Sequence, residues 1–483
     1  MFISRSKISG AAVALSLSLM ACGSDDDGGG KNNPSSGGGG TGGGAGGSGG
    51  STGGTAGSSG SGGSTGGSGG STGGTAGTGG STGGAGGTGG VPACDLSGAG
   101  KTKEKIPLTI SADTTLTADK VWTLSDAVHV ASGATLTIEP CTRIEGTKTP
   151  IGVLIVARGA KINAAGTENA PILFTSPQPV GSRAPGDWGG VILLGKATTN
   201  DGTPLVEGLP DVPDNHFGGT DDADDSGTMT YVRIEYGGYQ LATDNEVNGL
   251  TLGGVGSGTT INHIMVSNTL DDCFEWFGGT VNVDHLICNS DGDDMFDTDK
   301  GYRGTMTHLF GRKLANPSAN PNGFEWDGHP TNFTATPNNK PMPKKVTMCG
   351  FGADVGVASY GMVLRRGSKG LLEDIVVTGF DHGFDMRDDV GTLAAPAYTM
   401  TNSTFFGQLK NDIANASETN NDNGFDETAW FNAGAGNGTA SAGFTATDCV
   451  AAAGPTAAVT GSGKGAFKDG NWLTGAWIDW ASK

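Results

Sequence analysis

The chain has 483 residues, of which 90 are glycine, about a fifth of the total where an ordinary globular protein carries about 7%. Acidic residues outnumber basic ones 49 to 29, for a formal charge of −20. That sign excludes a basic face for nucleic acid or an anionic bilayer, and the glycine excess excludes a helical or doubly wound enzyme over the whole length.

Residues 1–21 read as an export signal: Arg5 and Lys7, then an apolar run over 8–20 that is too short to span a bilayer. Leu19-Met20-Ala21-Cys22 resembles the lipobox of bacterial lipoproteins. The resemblance implies cleavage before Cys22, acylation of its thiol, and attachment to the membrane through that lipid. Gly23 and Ser24 follow the cysteine where an aspartate would signal retention, so the resemblance further implies the outer membrane, and the Asp25-Asp26-Asp27 run resembles surface-export signals of some Gram-negative lipoproteins, which implies the cell surface. Over 22–92 the chain is mostly Gly, Ser, Thr and Ala, with near-copies such as Ser51-Thr52-Gly53-Gly54-Thr55 and Ser71-Thr72-Gly73-Gly74-Thr75. It has nothing to bury and reads as a disordered tether, with a root-mean-square span of roughly 45 Å. The charges of signal and tether cancel, so the negative excess belongs to 93–483.

With Cys22 assigned to lipid, six cysteines remain: Cys94, Cys141, Cys273, Cys288, Cys349 and Cys449. An even set in an exported chain points to disulfides, and six cysteines allow about 15 connectivities. Proximity in sequence favours Cys94 with Cys141 and Cys273 with Cys288. No Cys/His spacing of a zinc site is present.

Beyond residue 93 the chain is a series of short β-rich stretches broken by Gly, Asn and Asp. Ile261-Asn262-His263-Ile264, Val283-Asp284-His285-Leu286 and Met306-Thr307-His308-Leu309 superpose, with their histidines 22 and 23 residues apart, and Met229-Thr230-Tyr231-Val232 is an earlier copy. A second register follows in each turn: Asn248-Gly249-Leu250, Asp272-Cys273-Phe274-Glu275, Asp294-Met295-Phe296-Asp297, Asn322-Gly323-Phe324-Glu325 and His382-Gly383-Phe384-Asp385. Repeats of this length, each with short strands separated by turns, predict a β-solenoid with one coil per repeat. The pattern resembles the right-handed parallel β-helix of the pectate-lyase-like superfamily, over roughly 100–483. Residues before Thr115 and the tail bearing Trp472, Trp477 and Trp480 are expected to cap the open ends.

Strand alternation points Phe274, Phe296, Phe324 and Phe384 inward and turns Glu275, Asp297, Glu325 and Asp385 outward. Two positions on, the same face carries Asp299, Asp327, Arg365 and Arg387, with Asp271, Asp272, Asp293 and Asp294 in the preceding turns. Three readings stay open for this face. The carboxylates form an oxygen cage for calcium, with Asp271, Asp272, Asp293, Asp294, Asp299 and Asp327 as ligands. Alternatively Glu275, Asp297, Glu325 and Asp385, with Arg365 and Arg387, perform polysaccharide lyase or glycoside hydrolase chemistry. The third is an acidic surface that binds a polysaccharide or an envelope protein without turnover. Asp271-Asp272-Cys273 resembles the Asp-Asp-Cys of polygalacturonases, but their other motifs are missing: Asn268-Thr269-Leu270 lacks the first acid, and Gly328-His329-Pro330 is displaced and altered. The histidines His263, His285 and His308 are expected to stack as a structural ladder. The expected whole is a lipid-anchored surface β-helix that binds and does not catalyse.

Overall fold

The structure is a computed structural model that describes residues 94–242, 245–314, 321–388, 398–413 and 425–481; Cys22, the signal and the Gly-rich tether lie outside these. Two long sheets share the work. Among the described residues one has 15 strands, beginning with Thr102–Lys105, and the other has 10, beginning with Thr109–Ile110 and ending with Asp385–Met386. Within each sheet an interior strand pairs in parallel with its counterpart one coil before and one coil after. Thr260–Ser267, Val283–Asn289, Thr305–Arg312 and Met342–Cys349 succeed one another in this way. Among the described strands only the hairpin of Tyr239–Ala242 with Asn245–Val247 pairs antiparallel. The coil period read from sequence is therefore the physical register: Met229 lies opposite Ile261, Ile261 opposite Val283, and Val283 opposite Met306.

The core lies between the sheets. Leu250, Phe274, Phe296, Phe324 and Met362 enter it from the shorter sheet and Ile264, Leu286, Leu309, Val346 and Ile375 from the longer one, all fully buried. Phe274, Phe296 and Phe324 succeed one another at 5.6 and 5.5 Å between ring centroids. The corners before Phe274 and Phe296 carry Cys273 and Met295, whereas those before Leu250 and Met362 are glycines with no room for a Cβ. One placed on Gly249 would come within 2.4 Å of the Val266 side chain, and one on Gly361 within 2.3 Å of Val377.

A second column runs through the longer sheet. Tyr231, His263, His285, His308, Lys345 and Asp374 occupy equivalent places, and each is left-handed, with φ between 51° and 57°. For a residue with a Cβ that conformation costs about 1–2 kcal/mol. Ring stacking at 4.4 Å from Tyr231 through His308 offsets it. The Asp284 carboxylate bridges His285 Nδ1 at 2.9 Å and His308 Nδ1 at 2.8 Å. Burial works against its charge, yet these imidazoles hold it well below the usual carboxylate range. The histidines stack as expected.

The tryptophan tail is not an end cap. Its residues lie lengthwise on the outer face of the longer sheet, because that face also presents apolar side chains: Met265, Ile287, Phe310, Cys349 and Val376. Phe467 packs on Phe310, Trp472 stands edge-on to His285, Trp477 edge-on to His263, and Trp480 lies 4.6 Å from the Arg312 guanidinium. Polar contacts follow the same line: Lys468 to Asp374, Asp469 to Lys345, and Asp479 to Arg233. The C-terminal end of the core is covered instead by the helix Glu427–Ala433, whose Phe431 meets Phe384 and Phe405.

Three disulfides pin this arrangement. Cys94–Cys141 and Cys273–Cys288 join as proximity suggested, and Cys349–Cys449 fastens the C-terminal segment to the sheet.

Trp477 is 1% exposed, so Trp477→Ala is expected to destabilise the protein by about 3–5 kcal/mol in denaturant titration. Burial, and then the neighbouring His285, lower the His263 pKa from about 6.5 to about 4. A histidine that resists protonation when folded favours the native state above the unfolded pKa. That stability is lost as pH falls from about 6.5 toward 4. His263→Tyr, which repeats the residue one coil earlier, should remove this acid sensitivity, on the order of 1 kcal/mol after solvent screening, from the pH dependence of the unfolding midpoint.

Candidate functional site

On the outer face of the shorter sheet Thr251, Glu275, Asp297, Glu325, Val363 and Asp385 stand in one register, one per coil. The phenylalanine before each acid points into the core, and the pleat turns the acid outward. The turn preceding each strand adds a ladder of its own. Asp272 accepts the Asp294 N–H at 2.7 Å, and Asp294 accepts the Asn322 N–H at 2.6 Å. Each carboxylate thus replaces a backbone acceptor that the turn lacks, and the acids are fixed to the coil spacing.

The acids divide into two groups along the face. In the earlier coils Asp272, Glu275 and Asp297 each bring a carboxylate oxygen within 4.8 Å of the others, and Asp271, Asp272 and Asp293 do the same. Asp272 belongs to both sets. Burial, and after it repulsion among neighbours, pushes Asp271, Asp272, Glu275, Asp294 and Asp297 well above the usual carboxylate range. In the later coils arginines answer the charge. Arg365 binds Glu325 and Asp327, Arg366 binds Asp327 at 2.8 Å, and Arg387 binds Asp385 at 2.7 Å. Asp299 pairs with Lys300 at 3.0 Å. The column is continuous in register but not in chemistry: Val363 separates Asp385 from the rest, and Arg365 and Arg387 are engaged by acids.

Two participants carry little signal in the sequence. Asn248, 1% exposed, donates its amide to Glu275, while its Oδ1 and the buried Oδ1 of Asp297 have no hydrogen-bond partner among the described residues. Its place at the head of the Asn248-Gly249-Leu250 repeat would have flagged it. Glu207 comes from an excursion between coils and hydrogen-bonds Glu275; burial raises its pKa to about 7, against the pull of Lys300. It has no counterpart in the repeat. That excursion lies over the first coils, with Val206 and Phe217 packed on Val153, Ile155, Ile192 and Leu194, and Asn200 donates to the Gly328 carbonyl at 2.7 Å.

Other acidic or histidine features have local roles. Asp222 pairs with Arg303 at 2.6 Å and Asp225 with Lys161 at 2.5 Å. His329 accepts the N–H groups of Thr331 and Asn332 within its own turn, and Cys273 of the Asp-Asp-Cys sequence is in a disulfide.

A family model described as a pectate-lyase-like β-helix domain matches residues 108–449. The chain belongs to this family. The match spans the coils that carry both acid groups and the disulfide partners from Cys141 to Cys449. Searches of curated proteins and of solved structures returned no match. Among the described residues of this β-helix domain no helix is long and apolar enough to cross a membrane.

Raised carboxyl pKa values have a definite sign. The native state favours the protonated forms, so their contribution to stability is complete below the unfolded value of about 4 and is lost as pH rises through the folded values. In chelator-treated protein the contribution of these acids to the unfolding midpoint should fall as pH rises above about 4. Glu207→Gln should flatten that fall in the region of its folded value of about 7, in pH-resolved denaturant titrations.

Proposed function

We propose that this β-helix domain is the outward-facing part of a lipid-anchored surface protein that binds polysaccharide, with a calcium ion seated in the acid group of the earlier coils. The observation that carries the cation is the grouping of Asp272, Glu275 and Asp297 oxygens within 4.8 Å of one another. Two opposed calcium–oxygen bonds span about 4.8 Å, so all three fit one coordination sphere, and the oxygen-only donor set suits a hard cation. Asn248 and Asp297 supply the unpartnered oxygens that such an ion would use. A bound cation also removes the repulsion that otherwise drives these acids toward protonation.

A binding role fits the state of the arginines. Arg365 and Arg387 are committed to Glu325, Asp327 and Asp385, which leaves neither as an unengaged base. The second reading, a polysaccharide lyase or glycoside hydrolase, draws on the register in which Glu275 and Glu325 flank Asp297. Acids one coil apart are about 4.8 Å apart at the backbone and acids two coils apart about twice that. These separations approach those of retaining and inverting glycosidases respectively. Attachment rests on Cys22 and its lipobox-like context.

Calorimetric titration of chelated protein should show calcium uptake and a raised melting temperature, both lost in Asp272→Asn/Asp297→Asn. An unchanged melting temperature with and without calcium would count against the cation. Immobilised polysaccharides should be retained without the appearance of reducing ends or unsaturated products. Such products, abolished by Asp297→Ala or Glu325→Ala, would select the enzymatic reading. Cys22→Ala should abolish acyl labelling and release the protein from the membrane fraction.

A further inference from the structure

Lys313 and Asp291 form an ion pair whose two side chains are both 0% exposed. They lie 22 residues apart, which places them on adjacent coils at the same turn. Lys313 Nζ is held from two sides, by Asp291 Oδ2 and by the Asp293 carbonyl. The other carboxylate oxygen of Asp291 is buried without a hydrogen-bond partner among the described residues. One side of the pair is apolar: the Cys273 and Cys288 sulfurs lie within 4.8 Å of the carboxylate and are joined to each other.

Such a pair is costly as ions. Removing an ammonium and a carboxylate from water takes several kcal/mol per ion, and attraction inside repays it only when every remaining donor and acceptor is satisfied. Here one oxygen is not. We propose that Lys313 and Asp291 are joined by an isopeptide bond, a modification that staples two neighbouring coils. The Nζ electron pair forms a bond to Asp291 Cγ and the Cγ–Oδ2 bond breaks. A carboxylate and an ammonium become one amide and one water: two of the three ammonium protons leave with Oδ2, the third stays on nitrogen, and Oδ1 becomes the amide carbonyl. No oxidant, reductant or activated donor is consumed.

Two physical terms favour the step. Holding the amine against the carboxyl replaces a bimolecular encounter by an intramolecular one, worth effective concentrations of about 10⁵–10⁸ M in well-oriented systems. The product also carries no net charge, so the desolvation cost of two buried ions is removed when the bond forms. In bulk water that relief is absent, which is why the reaction belongs to the folded chain. The proposal is independent of calcium and of any ligand on the outer face.

Tryptic digestion of the full exported chain after reduction and alkylation decides the matter. The bond predicts a joined species, one water lighter than its parts, linking the peptide that ends at Lys300 to the one that begins at Lys313, with cleavage after Lys313 blocked. Lys313→Arg keeps the positive charge but offers no primary amine, and its digest should lack the joined species. Stoichiometric recovery of a peptide beginning at Leu314, beside a free Asp291 peptide, would overturn the proposal, as would persistence of the joined species in Lys313→Arg. The wild-type digest alone gives a decision even if the variant does not fold.

Discussion

Every position in a parallel coil meets its own counterpart in the next coil about 4.8 Å away, and the rest of this structure follows from that constraint. Like is stacked on like. For phenylalanine the consequence is favourable, because Phe274, Phe296 and Phe324 fill the interior as a continuous column. For imidazole it is favourable when the rings face one another and a carboxylate such as Asp284 lies between two of them. For carboxylates it is unfavourable by itself, so an acidic column must be answered by a proton, a cationic side chain or a metal ion.

The outer face of the shorter sheet uses these answers in different places. Later coils supply arginine from within the same column or beside it, and their acids are spent in ion pairs. Earlier coils supply almost none, while the excursion over them excludes solvent and adds a further acid, Glu207. Burial and repulsion are thereby concentrated on Asp272, Glu275 and Asp297. The unequal distribution of counter-charge, more than the number of acids, marks where a ligand would do the most electrostatic good.

The coil period, the inward phenylalanines, the outward acids and two disulfide pairs were legible because each is a local pattern repeated at a fixed interval. The division of the acids was not. Arg365 and Arg387 sit in the expected column, but the sequence does not say that they bind Glu325, Asp327 and Asp385, since that depends on how long side chains reach between coils. Glu207 was invisible because an excursion outside the repeat has no register to read. The tail departs from the end cap expected of it for a related reason. Three tryptophans near a terminus suggest a lid, yet the outer face of the longer sheet is itself apolar at Met265, Ile287 and Phe310, and a lengthwise contact buries more of that surface than an end-on one.

The placement of that tail changes what kind of folding unit the solenoid is. Stacked coils interact mainly with their nearest neighbours, so a bare array is nearly one-dimensional and can fray or fold piecemeal. A segment that touches Arg233, His263, His285, Phe310, Lys345 and Asp374 in a single pass couples coils that otherwise never meet. It lies C-terminal to every coil it touches. The cooperativity of the domain therefore rests on this one segment, and without residues 465–480 the domain would be a stack of coils with nothing to bind them into one transition.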